Sequence, residues 1–351
     1  MRAAVLNAGT VVVREVAEPV PGPGQVLVQV RACGICGSDL HFARHGARML
    51  VLDAEMAAAP GATRLLGPRV DLDRDVYLGH EFAAEVLATG QGTEEPVAEG
   101  TLVTSVPLLL GGTGTGTTES IIYSNSTYGG YGERMLLSTA LLLPVPNGLP
   151  AHLAALTEPM AVGLHAVNRS AIQPGEGALV LGCGPVGLAV IAALKLAGNG
   201  PIVATDYSPA RRALAAAMGA DVVVDPRQED GWAAWARTGG DRQLVVFEAI
   251  GVPGILNDIL RAAPRRARVV VVGVCMENDT VNPYFGAVKE LSVQFVFGYE
   301  PAEFARSLRA LAEGEIDVAP LVTARIPLDR VSWAFDALSD PEQHCKIIIE
   351  P

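Results

Sequence analysis

The stretch 178–206, ALVLGCGPVGLAVIAALKLAGNGPIVATD, constrains this chain more than any other. It opens with an apolar run, 178–181, of buried-strand length. Gly182, Gly184 and Gly187 follow in G-x-G-x-x-G spacing, with Pro185 and Val186 between the last two. A helical pattern runs from Val186 to about Ala197 and stops at Gly198, and a second apolar run, 202–205, ends at Asp206. The order is strand, tight turn, helix, strand. In that geometry Gly182 permits the turn, Gly184 lets the backbone approach a pyrophosphate, and Gly187 lets helix pack on strand. The free N–H groups and positive end of the helix would hold the phosphates. Asp206, 19 residues beyond Gly187, is placed to accept hydrogen bonds from a ribose diol. The plain alternative is a glycine-rich turn that binds nothing.

From residue 178 onward strands and helices alternate. Candidate strands are 178–182, 201–205, 221–225, 244–249, 268–274 and 292–297; candidate helices are 186–197, 208–218, 229–237, 253–263 and 282–290. This predicts an α/β domain with a doubly wound parallel sheet covered by helices on both faces. After Gly298 a helix at 303–313 and short strands ending at 347–349 no longer extend the alternation. They are expected to return to the first domain. Residues 1–32 read as short strands, and 82–88, 101–110 and 128–137 as further strand-like runs. The whole length of 351 residues is too great for one ordinary core. The expected division is a mainly β domain of 1–158 with 299–351, and a dinucleotide-binding domain of 159–298.

Composition narrows the class. Hydrophobic residues make up 50%, so a large core is available, yet no apolar run reaches the length of a membrane span. The net charge is -12 with both signs interspersed, which disfavours a nucleic-acid or anionic-membrane surface. Five widely spread cysteines do not form a disulfide framework, and a reducing cytoplasm is the simplest compartment.

The segment 33–41, CGICGSDLH, packs thiols, a hydroxyl, a carboxylate and an imidazole into nine residues. Cys36, His80 and Glu158 are the candidate metal ligands. A catalytic zinc takes three protein ligands of this mixed S, N and O kind and keeps a fourth position open. Each has a structural alternative: Cys36 as a buried thiol, His80 as a satisfied core histidine, Glu158 as a helix-start carboxylate. The segment 43–78 reads as long and irregular, with apolar Met49, Leu50, Val51, Leu52 and Met56, then Pro60-Gly61 and Gly67-Pro68.

Together CGICGSDLH, GHEFAAEV, GGYGERM, LTEPMAVGLHAV and VLGCGPVG, in this order, resemble the zinc-containing medium-chain dehydrogenase/reductase family. Glu158 as third ligand resembles its polyol and threonine dehydrogenase branch. The resemblance covers nearly the whole chain and implies a GroES-like catalytic domain beside a Rossmann domain. It implies Cys36, His80 and Glu158 as zinc ligands and Asp39 as the carboxylate that orients the ligating histidine. It implies Ser38 as the hydroxyl that takes the proton from an alcohol and His41 as the imidazole that passes it on. Glu81 matches a carboxylate near the metal; Asp206 and Arg211 match residues that hold the adenosine ribose. Cys33 reads as a core thiol. A homodimer or homotetramer is implied as well.

Two departures stand out. Many members carry a four-cysteine lobe with a structural zinc, but residues 103–135 contain no cysteine, so one catalytic zinc and no structural zinc is expected. The segment between His41 and His80 is much longer than the family pattern; it is either a wall over the substrate cleft or a surface excursion. The implied activity is hydride transfer between an alcohol and NAD. Asp206 would repel a 2′-phosphate, while Arg211 and Arg212 weigh the other way. The alternatives are an NADP(H)-dependent carbonyl reductase and a non-catalytic nucleotide-binding protein. Leu108, Leu109, Leu110 and the apolar residues of 49–56, taken as pocket walls, favour a secondary alcohol or ketone with a sizeable apolar part over a free sugar alcohol.

Overall fold

The computed structural model describes residues 1–58, 70–94, 96–111 and 118–351. Pro60-Gly61 and Gly67-Pro68 of the segment expected to be irregular, and most of the 111–118 glycine–threonine run, lie outside the described residues. The chain divides into two compact units. One is Met1–Glu158 with Val322–Asp340 and Lys346–Pro351; the other is Pro159–Leu321 with Pro341–Cys345.

The second unit holds a six-stranded parallel sheet built from Gly177–Leu181, Ile202–Thr205, Val222–Val224, Leu244–Glu248, Arg268–Val271 and Ser292–Phe295. Numbered along the chain, their spatial order is 3-2-1-4-5-6. The strand order therefore reverses at Gly177–Leu181, and ligands of such sheets bind at that switch point, outside the carboxyl ends of the strands. Helices Pro185–Leu196, Pro209–Ala217, Gly231–Gly239, Ile255–Ala262 and Pro283–Lys289 separate the strands. The central strands are buried on both faces, which is why they read as continuous apolar runs instead of alternating ones.

Residues 299–321 differ from expectation. They belong to the second unit, and the chain returns to the first only at Val322. Helix Pro301–Ala312 buries Phe304, Leu308 and Leu311, and its Glu303 accepts hydrogen bonds from His165 and Asn168 of helix Thr157–Ser170. An amphipathic helix shows its apolar stripe in sequence, but not which core receives it.

The first unit is built on a seven-stranded sheet. Its path runs Leu142–Pro144, Leu102–Ser105, Glu81–Thr89, Gln25–Gly34, Lys346–Glu350, Val322–Pro327, with Arg134–Ser138 also pairing to Gln25–Gly34. Val26, Val28 and Val30 alternate into the core at 0%, 0% and 1% exposure. Burying each such side chain stabilises by about 1.5–3 kcal/mol. The C-terminal strand lies antiparallel to Gln25–Gly34 and parallel to Val322–Pro327. A smaller sheet joins Thr10–Glu15, Arg2–Asn7 and Val76–Tyr77.

The segment expected to be irregular begins as helix. Gly37–Ala57 is helical across a kink at His45. Its residues 47–57 are mostly Ala, Leu, Met, Arg and Glu, strong helix formers. Gly46 is buried, and a Cβ there would touch the side chains of Phe42 and Leu72.

Candidate active site

Cys36 caps helix Gly37–Ala57, and Asp39 lies in the first turn. Asp39 is 0% exposed, and its Oδ2 accepts the Cys36 backbone N–H at 3.0 Å and the Tyr131 hydroxyl at 2.6 Å. Its Oδ1 stands 3.5 Å from His80 Nδ1, and both atoms are buried without a hydrogen-bond partner among the described residues. Ser38 Oγ lies 3.4 Å from the other ring nitrogen of His80, Nε2. Glu158 begins helix Thr157–Ser170, close enough for its charge to act on His80.

Local backbone geometry puts His80 there. Gly79 has φ +100°, and a Cβ at this position would meet the Tyr131 backbone nitrogen at 2.7 Å. Gly130 N–H donates to Gly79 carbonyl at 2.7 Å and Tyr131 N–H to Leu78 carbonyl at 3.3 Å. The GHE and GGYGERM segments are thus one unit: the second holds the first and supplies the hydroxyl that fixes Asp39.

Burial opposes a charge on His80, but the carboxylate of Asp39 and the thiol of Cys36 outweigh it and hold the imidazole well above its usual pKa, with Glu158 acting in the same direction. Burial pushes the Asp39 carboxyl up, against His80, Tyr131 and the Cys36 N–H. The neighbourhood therefore attracts a cation. Among the described residues, no three His, Cys, Asp or Glu side chains stand arranged to hold a metal as they are. The donor set of thiol, imidazole and carboxylate nevertheless fits zinc, and His80 turns its second nitrogen to a carboxylate, the usual support of a ligating histidine.

The other sequence-derived residues fall less closely. His41, three positions along the helix from Ser38, is exposed, and burial followed by the charges of His45 and Arg44 lowers its pKa. Glu81 is not turned to His80: its carboxylate pairs with Lys346. Cys33 is fully buried, which raises its thiol pKa well above the usual value. Met49 and Leu50 pack against the β core, while Val51 and Met56 are exposed. Leu109 is buried in the same core and Leu108 and Leu110 are exposed, so these leucines alternate instead of forming one wall.

Tyr123 carried no signal in the sequence. Its ring stacks on Phe42 with centroids 4.0 Å apart, and its hydroxyl is buried beside Ser38 without meeting hydrogen-bond geometry. Only its place after the serine- and threonine-rich stretch could have suggested that a phenol reaches the Cys36–His80 neighbourhood.

In the second unit Gly182 has φ +91°, and Gly187 lies so close to the turn that a Cβ would sit 1.9 Å from Gly182 O. Gly184 caps helix Pro185–Leu196 with open space where a Cβ would be, leaving the first backbone N–H groups accessible. The Asp206 carboxylate accepts Cys183 N–H and Ser208 N–H, each at 2.8 Å. Arg211 Nε is buried without a hydrogen-bond partner among the described residues. An open glycine cradle at a helix N-terminus fits a dinucleotide.

Comparison with known proteins agrees with both halves. Residues 22–147 match the alcohol dehydrogenase GroES-like domain and residues 185–313 the zinc-binding dehydrogenase domain. The chain is 32% identical to (R,R)-butanediol dehydrogenase of Bacillus subtilis, covering 98% of each chain. It is 28% identical to sorbitol dehydrogenase of the same species, over 100% of this chain and 97% of that one. The crystal structure of the Bacillus subtilis butanediol dehydrogenase superposes with a TM-score of 0.82 at 31% identity, covering 100% of this chain and 99% of the other. A zinc-binding dehydrogenase from Sinorhizobium meliloti, solved bound to NADP, does so at 0.80 and 29% identity over 100% and 99%. The glycine turn, the Cys36–Asp39–His80 neighbourhood and these matches lead to one conclusion: the chain belongs to the zinc-containing medium-chain alcohol dehydrogenase family.

Proposed function

We propose that this protein is a zinc-dependent, NAD-linked dehydrogenase of secondary alcohols bearing a neighbouring hydroxyl, such as short vicinal diols. The observation that carries the reading is the buried His80, with Asp39 behind it and Cys36, Ser38 and Glu158 around it. Cys36, His80 and Glu158 would hold one zinc, which supplies Lewis acidity that lowers the pKa of a hydroxyl, while the dinucleotide supplies the hydride acceptor. Asp39 fixes the imidazole, and Tyr131 and the Cys36 N–H fix Asp39. Ser38 accepts the hydroxyl proton, and exposed His41 passes it to water.

Substrate preference is proposed in a changed form. Met49, Leu50 and Leu109 are committed to the β core, which leaves Val51, Met56, Leu108 and Leu110 as the exposed large apolar residues of those segments and weakens the case for a large apolar substrate. The relatives named for butanediol and sorbitol favour compact hydroxylated substrates. A second reading, use of NADP(H) by a carbonyl reductase, draws on the unpartnered Arg211 Nε and on the NADP-bound neighbour. Among the described residues no helix is long and apolar enough to cross a membrane, and free cysteines suit a reducing compartment such as the cytoplasm. Strand Ser292–Phe295 forms one edge of its sheet, with Val293, Phe295 and Phe297 at 39%, 69% and 65% exposure. Such an apolar edge favours a homodimer. The deciding experiment is zinc analysis combined with a screen of diols, polyols and larger secondary alcohols against NAD and NADP. No zinc and no turnover would overturn the proposal.

A further inference from the structure

Two arginines and an aspartate gather beside Asp206, where strands Ile202–Thr205 and Val222–Val224 end. The Asp225 side chain, just past the second strand, is 8% exposed. Arg227 grips it with two hydrogen bonds, Nε to Oδ1 at 2.9 Å and a terminal nitrogen to Oδ2 at 2.8 Å. Arg212, on helix Pro209–Ala217, stands 3.2 Å from the same Oδ2. Both arginines are also turned onto the chain that leaves Asp206. Arg212 donates to the carbonyl oxygens of Asp206 at 2.8 Å and Tyr207 at 2.9 Å, and Arg227 donates to the Tyr207 carbonyl and lies over its ring. The hydrogen bond from Arg227 holds the Asp225 carboxyl down to about 2, so this clamp stays charged across the working range.

A 2′-phosphate brings between one and two negative charges to a place where Asp206 already repels it. Binding it takes guanidinium groups with free donors. Arg212 and Arg227 are the right residues in the right neighbourhood, yet each has donors committed to Asp225 and to backbone carbonyls. Resting on the cofactor reading above, we propose that Asp225 is a specificity-determining positioning residue: by pairing with Arg212 and Arg227 and holding their donors on itself and the backbone, it keeps them from serving a 2′-phosphate and so selects NAD over NADP. Arg211, whose Nε has no partner, is outside the clamp.

Binding of NADH and NADPH to the full-length protein, followed by nicotinamide fluorescence, tests this without any substrate. Asp225→Asn is expected to tighten NADPH binding about tenfold, the worth of one new charge-assisted hydrogen bond, while NADH binding stays within about threefold. Adding Arg212→Ala and Arg227→Ala to that variant should abolish the gain. An unchanged ratio of the two Kd values in Asp225→Asn overturns the proposal and leaves the cofactor reading standing. Exposed Arg227→Ala gives an independent check in the wild-type background. It should leave the NADPH Kd within about twofold, since a sequestered arginine has little to lose, whereas a weakening of about tenfold would make it a phosphate ligand already and overturn the clamp. Wild-type protein that binds neither nucleotide overturns the cofactor reading and the clamp together.

Discussion

Lys346 Nζ lies 2.7 Å from Glu81 Oε1 and 2.8 Å from Oε2, an ion pair between side chains that are 3% and 0% exposed. The same ammonium donates to the Ile35 carbonyl at 3.1 Å. The pair ties the C-terminal strand to the residue beside His80 and to the loop that leads into Cys36. Gly34 leaves the room for it, since a Cβ there would sit 2.2 Å from Glu81 Oε2.

Breaking this pair from one side leaves a buried charge uncompensated. Lys346→Met should destabilise the protein by about 3–5 kcal/mol. Adding Glu81→Gln should recover much of that loss, because no bare charge then remains. Urea unfolding of the single and double variants checks this, and equal stabilities of wild type and Lys346→Met would refute the pair's importance.

Glu158→Ala should lower zinc content and nearly abolish turnover while NADH binding persists. Metal analysis of the wild type should find one zinc per chain, removable by a chelator with loss of activity. Full zinc and full activity in Glu158→Ala would move the ligand role to another residue.

Asp206 has two tasks, so its substitution should show two effects. Asp206→Gly removes the acceptor of Cys183 N–H and Ser208 N–H and lowers stability by roughly 1–3 kcal/mol. It should also weaken NADH more than NADPH. Thermal melts report the first effect and the ratio of the Kd values the second; an unaltered ratio would remove Asp206 from nucleotide selection.

Tyr123→Phe removes a buried hydroxyl that has no hydrogen-bond partner among the described residues. An unpaired buried hydroxyl costs about 1–3 kcal/mol, so the ligand-free variant should melt higher than wild type. If the hydroxyl meets the substrate, kcat/KM falls in the same variant. A lower melting temperature would show that the hydroxyl is satisfied in solution.

The apolar sheet edge predicts self-association. Phe295→Asp with Phe297→Asp should shift the protein toward a monomer in sedimentation or light scattering, through charge repulsion and lost apolar burial. A wild-type monomer at micromolar concentration would sink this expectation.

Local chemistry made the second unit legible from its residues alone. Buried parallel strands read as apolar runs, helices as periodic ones, and Gly182 and Gly187 stand where a Cβ would clash, so all six strands and their helices fall close to where the sequence placed them. Cys36, Ser38 and Asp39 stood out because 33–41 crowds thiols, a hydroxyl, a carboxylate and an imidazole together, and their roles came from the family resemblance of that segment. Only the tertiary structure decided what depends on distant pairing. Asp39 meets Tyr131 from 92 positions away, and Glu81 meets Lys346 from 265, and neither partner leaves a periodic trace. The helix of residues 47–57 was hidden because Met49 to Leu52 form a continuous apolar run without a clear helical period, and the core that takes Met49 and Leu50 is built from distant strands. Helix Pro301–Ala312 shows the same limit. Periodicity reports which face of a segment is buried, but the core that buries it is chosen by long-range packing, which no short window of sequence contains.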